Sequence, residues 1–150
     1  MARSFITFGD NGFYINDTFT ELSLIYIIDI VERINLELPS WLMDMKKWWE
    51  LTSSGATANM VDLRLDLYLV NEDRIALLSS FIYDAIEVLK KKGGDISVEE
   101  YNSYIDPTLK RFRDSPFPTD KIIKSLEHIS DLINGKINYR LSDAVELPDF

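Results

Sequence analysis

The chain has 150 residues, a formal net charge of −9, 46% apolar residues, one histidine and no cysteine. That length suits a single domain spanning residues 1–150, which would bury roughly 68–70% of its unfolded surface, and the apolar fraction is too high for a disordered chain. Lack of cysteine removes disulfides, thiolate metal sites and cysteine nucleophiles together, while the acidic balance opposes nucleic-acid binding, which needs cations against phosphate.

The first residues, Met1-Ala2-Arg3-Ser4-Phe5, lack the apolar stretch of a secretory leader. The longest apolar run, Leu24-Ile25-Tyr26-Ile27-Ile28, breaks at Asp29, far short of the ~20 residues of a membrane span. A soluble, cytoplasmic protein with no membrane partner is expected. On that expectation the sequon Asn16-Asp17-Thr18 carries no meaning.

Residues Phe5 to Ile15 read as a hairpin around Gly9-Asp10-Asn11-Gly12. A calcium-loop reading of that turn fails, because the end ligand positions would fall on Thr7 and Thr18. Thr18 and Glu21 form a capping box for a first helix that should end near Leu38-Pro39. Ser40 is expected to cap a second helix from Trp41 to about Leu51, and the run from Thr52 to Thr57 is a loop by composition.

From Val61 to Val70, leucines alternate with Asp62, Arg64 and Asp66 at the period of a half-buried strand. Leucine favours helix and aspartate disfavours strand, so helix or tight turns are preferred here, with a strand as the alternative. Asn71 caps a long helix with Glu72 and Asp73 in its first turn and Lys90-Lys91-Lys92 before Gly93-Gly94 at its end. Ser97 and Glu100 open a short helix stopped near Asp106-Pro107. Pro116 and Pro118 mark a connection, and Thr119 caps a last helix closed by Asn134-Gly135. Tyr139, Leu141 and Val145 are the residues expected to order an irregular tail. The expected fold is mainly α, a compact bundle of about five or six helices with a small N-terminal β-hairpin.

Chemistry is sparse along this chain. His128 sits mid-helix beside Glu127, and neither Ser125 nor Ser130 is spaced to form a relay with it. Gly93-Gly94 follows a helix rather than opening one, so it is a C-cap and not a phosphate cradle. Asp62, Asp66, Glu72 and Asp73 gather enough charge for a metal, an acid/base pair, a docking surface or a merely solvated face. No histidine lies near them and no calcium-loop pattern accompanies them. Trp48 and Trp49 face different sides of one helix, so one could serve as an interface anchor, though a core position is the commoner fate of tryptophan. No catalytic, cofactor-binding or metal residue is assigned, and no cofactor is expected.

The run Trp48-Trp49-Glu50-Leu51-Thr52-Ser53-Ser54-Gly55, the leucine-rich stretch from Asp62 to Tyr68, Asn71-Glu72-Asp73-Arg74, and Gly93-Gly94-Asp95-Ile96-Ser97 together resemble small immunity proteins of bacterial polymorphic-toxin and contact-dependent growth inhibition loci. The resemblance spans about residues 17 to 135 and has no invariant motif. It implies a non-enzymatic cytoplasmic protein that neutralises one cognate toxin domain, commonly a basic nuclease. The residues expected to meet such a partner are Asp62, Asp66, Glu72 and Asp73, with Trp49. A helical adaptor with apolar contacts is the alternative, and a metal-dependent hydrolase built on the carboxylates is a third reading. The oligomeric state is left open.

Overall fold

A computed structural model describes residues 3–54, 61–104, 116–143 and 145–147 of the chain. Strands β1 (Arg3–Phe8) and β2 (Asn11–Asn16) form the expected antiparallel hairpin, with Phe8 opposite Asn11 and Arg3 opposite Asn16. Gly9 has a φ of 58° while Asp10 stays out of the left-handed region, the pattern of a type II′ turn. Gly12 lies within β2. A Cβ there would come 2.6 Å from the Ile6 carbonyl oxygen, so close strand approach demands glycine.

β2 runs directly into helix α1 (Asp17–Glu32). The cap is Asn16, whose side chain accepts from the Thr18 amide at 2.8 Å, and not the predicted Thr18–Glu21 box. Starting the helix two residues early places Thr18 and Glu21 inside it, both almost fully buried. It also buries the sequon asparagine, Asn16. Nearly every side of α1 is covered, because α2, α4, α6 and the hairpin all pack against it. The helix stops at Glu32, short of Leu38: an exposed connection through Asn35 and Leu36 is needed to reverse the chain.

Helix α2 (Ser40–Ser53) begins after Pro39, which occupies the cap position with extended backbone, so Ser40 provides no side-chain cap. The helix outlasts its predicted end. Ser53 Oγ donates to the Trp49 carbonyl at 2.6 Å within the final turn; Gly55, Ala56 and Thr57 lie outside the described residues. Residues Val61 to Leu65 keep the alternation of a strand, with Val61, Leu63 and Leu65 buried and Asp62 and Arg64 exposed. Then one helical turn follows, α3 (Leu65–Tyr68), which leaves Leu67 exposed. The preferred reading of helix or tight turns therefore holds, and of the strand alternative only the alternating burial remains, without strand pairing among the described residues.

Helix α4 (Glu72–Lys92) starts and stops as predicted: Asn71 accepts from the Arg74 amide at 3.0 Å, and Gly93 closes the helix with a φ of 62°. Strand β3 (Asp95–Ile96) leads into α5 (Val98–Ser103), capped by Ser97 accepting from the Glu100 amide at 3.1 Å. The predicted stop at Asp106-Pro107 falls outside the described residues. Strand β4 (Phe117–Pro118) pairs with β3 and delivers the chain to α6 (Thr119–Ile133). Thr119 is the first helical residue rather than the cap, since its amide and hydroxyl both donate to the Gly94 carbonyl and tie the small sheet together.

After Asn134 closes α6, the tail runs back along β2. Gly12 N–H donates to the Tyr139 carbonyl, Tyr14 N–H to that of Val145, and Leu147 N–H to that of Tyr14. Among the described residues there are six α-helices, and their buried apolar side chains form one continuous cluster. No described helix is long and apolar enough to cross a membrane.

Candidate functional site

The predicted contact residues surround a corner between α2, β1 and α4. The two adjacent tryptophans of α2 set its backbone: Trp48 Nε1 donates to the Asp62 carbonyl at 2.7 Å and Trp49 Nε1 to the Leu63 carbonyl at 2.8 Å. Val61 N–H donates to Ser4 Oγ, Asp62 N–H to Thr52 Oγ1, and the Asp66 carboxylate accepts from the Gly9 amide at 2.9 Å. The stretch is therefore tied at one end to β1, at the other to the hairpin turn, and between them to α2. Arg64 is the one described non-glycine residue with a left-handed backbone, at a φ of 51°, a conformation that costs an ordinary residue about 1 kcal/mol or more. Its amide is held by the Asp62 carboxylate at 3.0 Å, and its guanidinium lies 3.3 Å from the centre of the Trp48 ring.

Asp62 and Asp66 share a hollow of about 240 Å³ with Phe5, Thr7 and Leu67. They do not share a helix face, because Asp62 precedes the helical turn. Glu72 and Asp73 are exposed on the first turn of α4, beyond Val70, and do not line that hollow. Leu67 and Val70, 61% and 63% exposed, stand among these acids. Trp49 leaves the contact set: only 1% of it is exposed, and its N–H is spent on Leu63. Trp48, only partly buried beneath Arg64, is the indole nearer the surface. Its pairing with Arg64, and that of Trp41 with Arg74 at 4.8 Å, were not legible in the sequence because they join residues far apart in the chain.

A second cluster lies at the other end of α4. Helices α1 and α5 exchange one hydroxyl–carboxylate bond each way: Tyr101 donates to Glu21 at 3.2 Å, and Tyr26 donates to Glu100 at 3.3 Å. Glu100 also accepts from Tyr104 at 3.2 Å and pairs with Lys92 at 2.9 Å. Burial, reinforced by the Glu100 charge, pushes the phenols of Tyr26 and Tyr104 above their ordinary value. For Glu100 burial opposes ionisation, but Lys92 and the two phenols outweigh it and hold the carboxyl below its usual range. Both directions lead away from neutrality, where proton transfer is most effective. Sequence spacing gave no sign of this cluster, since Tyr26 and Glu100 are 74 residues apart.

His128 is half-buried, its Nδ1 donating to the Lys124 carbonyl at 2.7 Å, and it meets Phe13 edge-on. The Ser125 hydroxyl donates to the Lys121 carbonyl, so the two side chains follow separate backbone partners. Among the described residues no group of three or more carboxylates and imidazoles gathers as a metal site.

Comparison with protein-family models, curated proteins and solved structures finds no match to this chain. The corner and the tyrosine cluster are therefore weighed on their own chemistry.

Proposed function

We propose that this chain is a stoichiometric protein inhibitor of the immunity type, which covers a basic surface of a cognate toxin domain in the cytoplasm. The observation that carries this reading is the corner itself, with exposed Asp62, Asp66, Glu72 and Asp73 around exposed Leu67 and Val70, on backbone held by two indole donors. A pre-ordered surface loses little entropy on docking. Acids around apolar side chains match a cationic cleft, and the net charge of −9 speeds encounter with it. Covering such a cleft would exclude a nucleic-acid substrate without any chemistry by the inhibitor. The resemblance of the Trp48–Gly55, Asp62–Tyr68 and Asn71–Arg74 segments to immunity proteins points the same way.

The test is co-expression with the C-terminal domain of the protein encoded immediately upstream. Wild-type chain should rescue growth and co-purify with that domain. Asp62→Lys/Asp66→Lys/Glu72→Lys/Asp73→Lys should do neither. Because Asp62 and Asp66 accept backbone hydrogen bonds, a neutral set with Asn and Gln at the same positions checks that charge rather than folding is responsible. It should bind more weakly than wild type with an unchanged circular dichroism spectrum. Rescue by all three proteins alike would overturn the assignment of the corner, and no rescue by wild type would overturn the immunity reading.

Exposed Leu36, Met43 and Leu51 on and before α2 favour the adaptor reading as the second possibility. It predicts partner binding that salt does not weaken.

A further inference from the structure

The groove between the C-terminal halves of α1 and α4 and the short helix α5 has the composition of a small-molecule cleft. It encloses about 430 Å³ lined by Ile25, Tyr26, Val88 and Tyr104 together with charged groups from all three helices, a size within the range of roughly 300–1,000 Å³ usual for such sites. A hollow of similar volume continues it along α1 and α4, sharing Arg33, Val88 and Lys91 and adding Ile30, Ile34 and Phe81 with the carboxylates Asp84 and Glu87.

Within the first groove the charges are matched with one left over. Asp29 is taken by Arg33 at 2.6 Å. Glu100 is taken by Lys92 and by the hydroxyls of Tyr26 and Tyr104. Lys91 lines both hollows, yet among the described residues it has no ion pair, although its neighbours Lys90 and Lys92 each do. The phenol hydroxyls turn to Glu100, which leaves ring faces and the side chains of Ile25 and Val88 as apolar lining. In the first groove a cationic guest would have to break an existing pair to find a carboxylate, because Asp84, unpaired among the described residues, lines only the continuing hollow. An anionic guest would meet a free ammonium.

We propose that this groove binds a small amphipathic carboxylic acid, its aryl or alkyl tail over Ile25 and Val88 and its carboxylate paired with Lys91. The site is independent of the docking corner, since Asp73 and Val88 lie near opposite ends of α4 and the rise of about 1.5 Å per residue separates the two by more than roughly 20 Å. The raised phenols of Tyr26 and Tyr104 agree with a partly desolvated lining.

The test titrates 4-phenylbutyrate into the ¹⁵N-labelled full chain, with 4-phenylbutylamine and 4-phenylbutan-1-ol as cationic and neutral controls of matched shape. The acid should shift amide signals of residues 25–34, 84–92 and 100–104 in a saturable way, and bind more tightly than either control. Lys91 is exposed, so Lys91→Ala should leave the circular dichroism melt unchanged. It should weaken the acid roughly three- to five-fold, the loss expected from one partly screened ion pair. Lys91→Glu should reverse the order, with the amine binding better than the acid. Absence of saturable shifts, shifts centred outside these residues, equal binding of acid and amine, or an unchanged affinity in Lys91→Ala would each overturn the proposal.

Discussion

At its N-terminal end α4 begins on Asn71 with Glu72 and Asp73 in the first turn, and at its C-terminal end it finishes in Lys90, Lys91 and Lys92 before Gly93. Both patterns are what the helix dipole favours, so charge order along the helix says nothing of use. The difference comes from what the fold brings to each end. Around the N-terminal end it adds exposed Asp62, Asp66, Leu67 and Val70, on a stretch that Trp48 and Trp49 hold at the Asp62 and Leu63 carbonyls. Around the C-terminal end it adds the carboxylates and phenols of α1 and α5, which neutralise Lys92 and leave Lys91. One end becomes an outward acidic corner, the other a lined groove.

The largest expected effect breaks the corner from beneath. Trp49→Ala should cost about 3–5 kcal/mol in urea denaturation, the range for deleting a buried aromatic. Trp49→Phe keeps most of the packing but leaves the Leu63 carbonyl without its donor, at about 1–3 kcal/mol. Its amide-exchange protection should fall first at residues 61–66. Loss spread evenly over the chain would mean that the indole pair does not govern the corner.

The corresponding break at the groove is Tyr101→Phe, which removes a hydroxyl donor from the buried Glu21 carboxylate and should also cost about 1–3 kcal/mol. Its signature should be altered chemical shifts in α5 and around Tyr26, with the corner unchanged. Smaller again is Asn71→Ala, at about 1 kcal/mol by thermal melting, because one amide of α4 loses its cap.

The smallest effect is pH-dependent and confined to the groove. Glu100 is held below its ordinary value of 4.5, so its contribution is present above that value and is lost as pH falls through the lower, folded value. Wild type should therefore be more stable than Glu100→Gln at neutral pH, and the gap should close on acidification. Tyr26 is raised above its ordinary 10.0, so its contribution is present below pH 10 and fades as pH rises further. A gap between wild type and Glu100→Gln that widens on acidification would contradict the assigned pairing.

Much of the fold was legible in local signals. Asn71, Ser97, Gly93 and the Gly9 turn act through hydrogen bonds or dihedrals that involve only near neighbours, and all of them fall where the sequence places them. The caps expected at Thr18, Ser40 and Thr119 are all displaced, two by near neighbours and one by a distant residue. In each case another residue displaces a good local capper: Asn16 at the end of β2 caps α1, Pro39 takes the cap position of α2, and the distant Gly94 claims the Thr119 hydroxyl. The stretch from Val61 to Tyr68 looked ambiguous because alternating burial, without strand pairing, leads up to a single helical turn that begins at Leu65, after the left-handed Arg64. Of the residues expected to meet a partner, the acids stood out by charge, and the structure leaves all four exposed. Trp49 was misassigned because two adjacent tryptophans give no clue to which one faces the core. The groove was hidden entirely, since every bond that builds it spans distant segments.

The most direct measurement for the acidic corner as the proposed partner surface is the association rate with the toxin domain that the immunity proposal requires, followed by stopped flow across a range of salt concentrations. The account predicts a fast rate for the wild type that falls steeply with salt, and a slow, nearly salt-independent rate when Asp62, Asp66, Glu72 and Asp73 are reversed to lysine. Equal rates and equal salt slopes for the two proteins would contradict it.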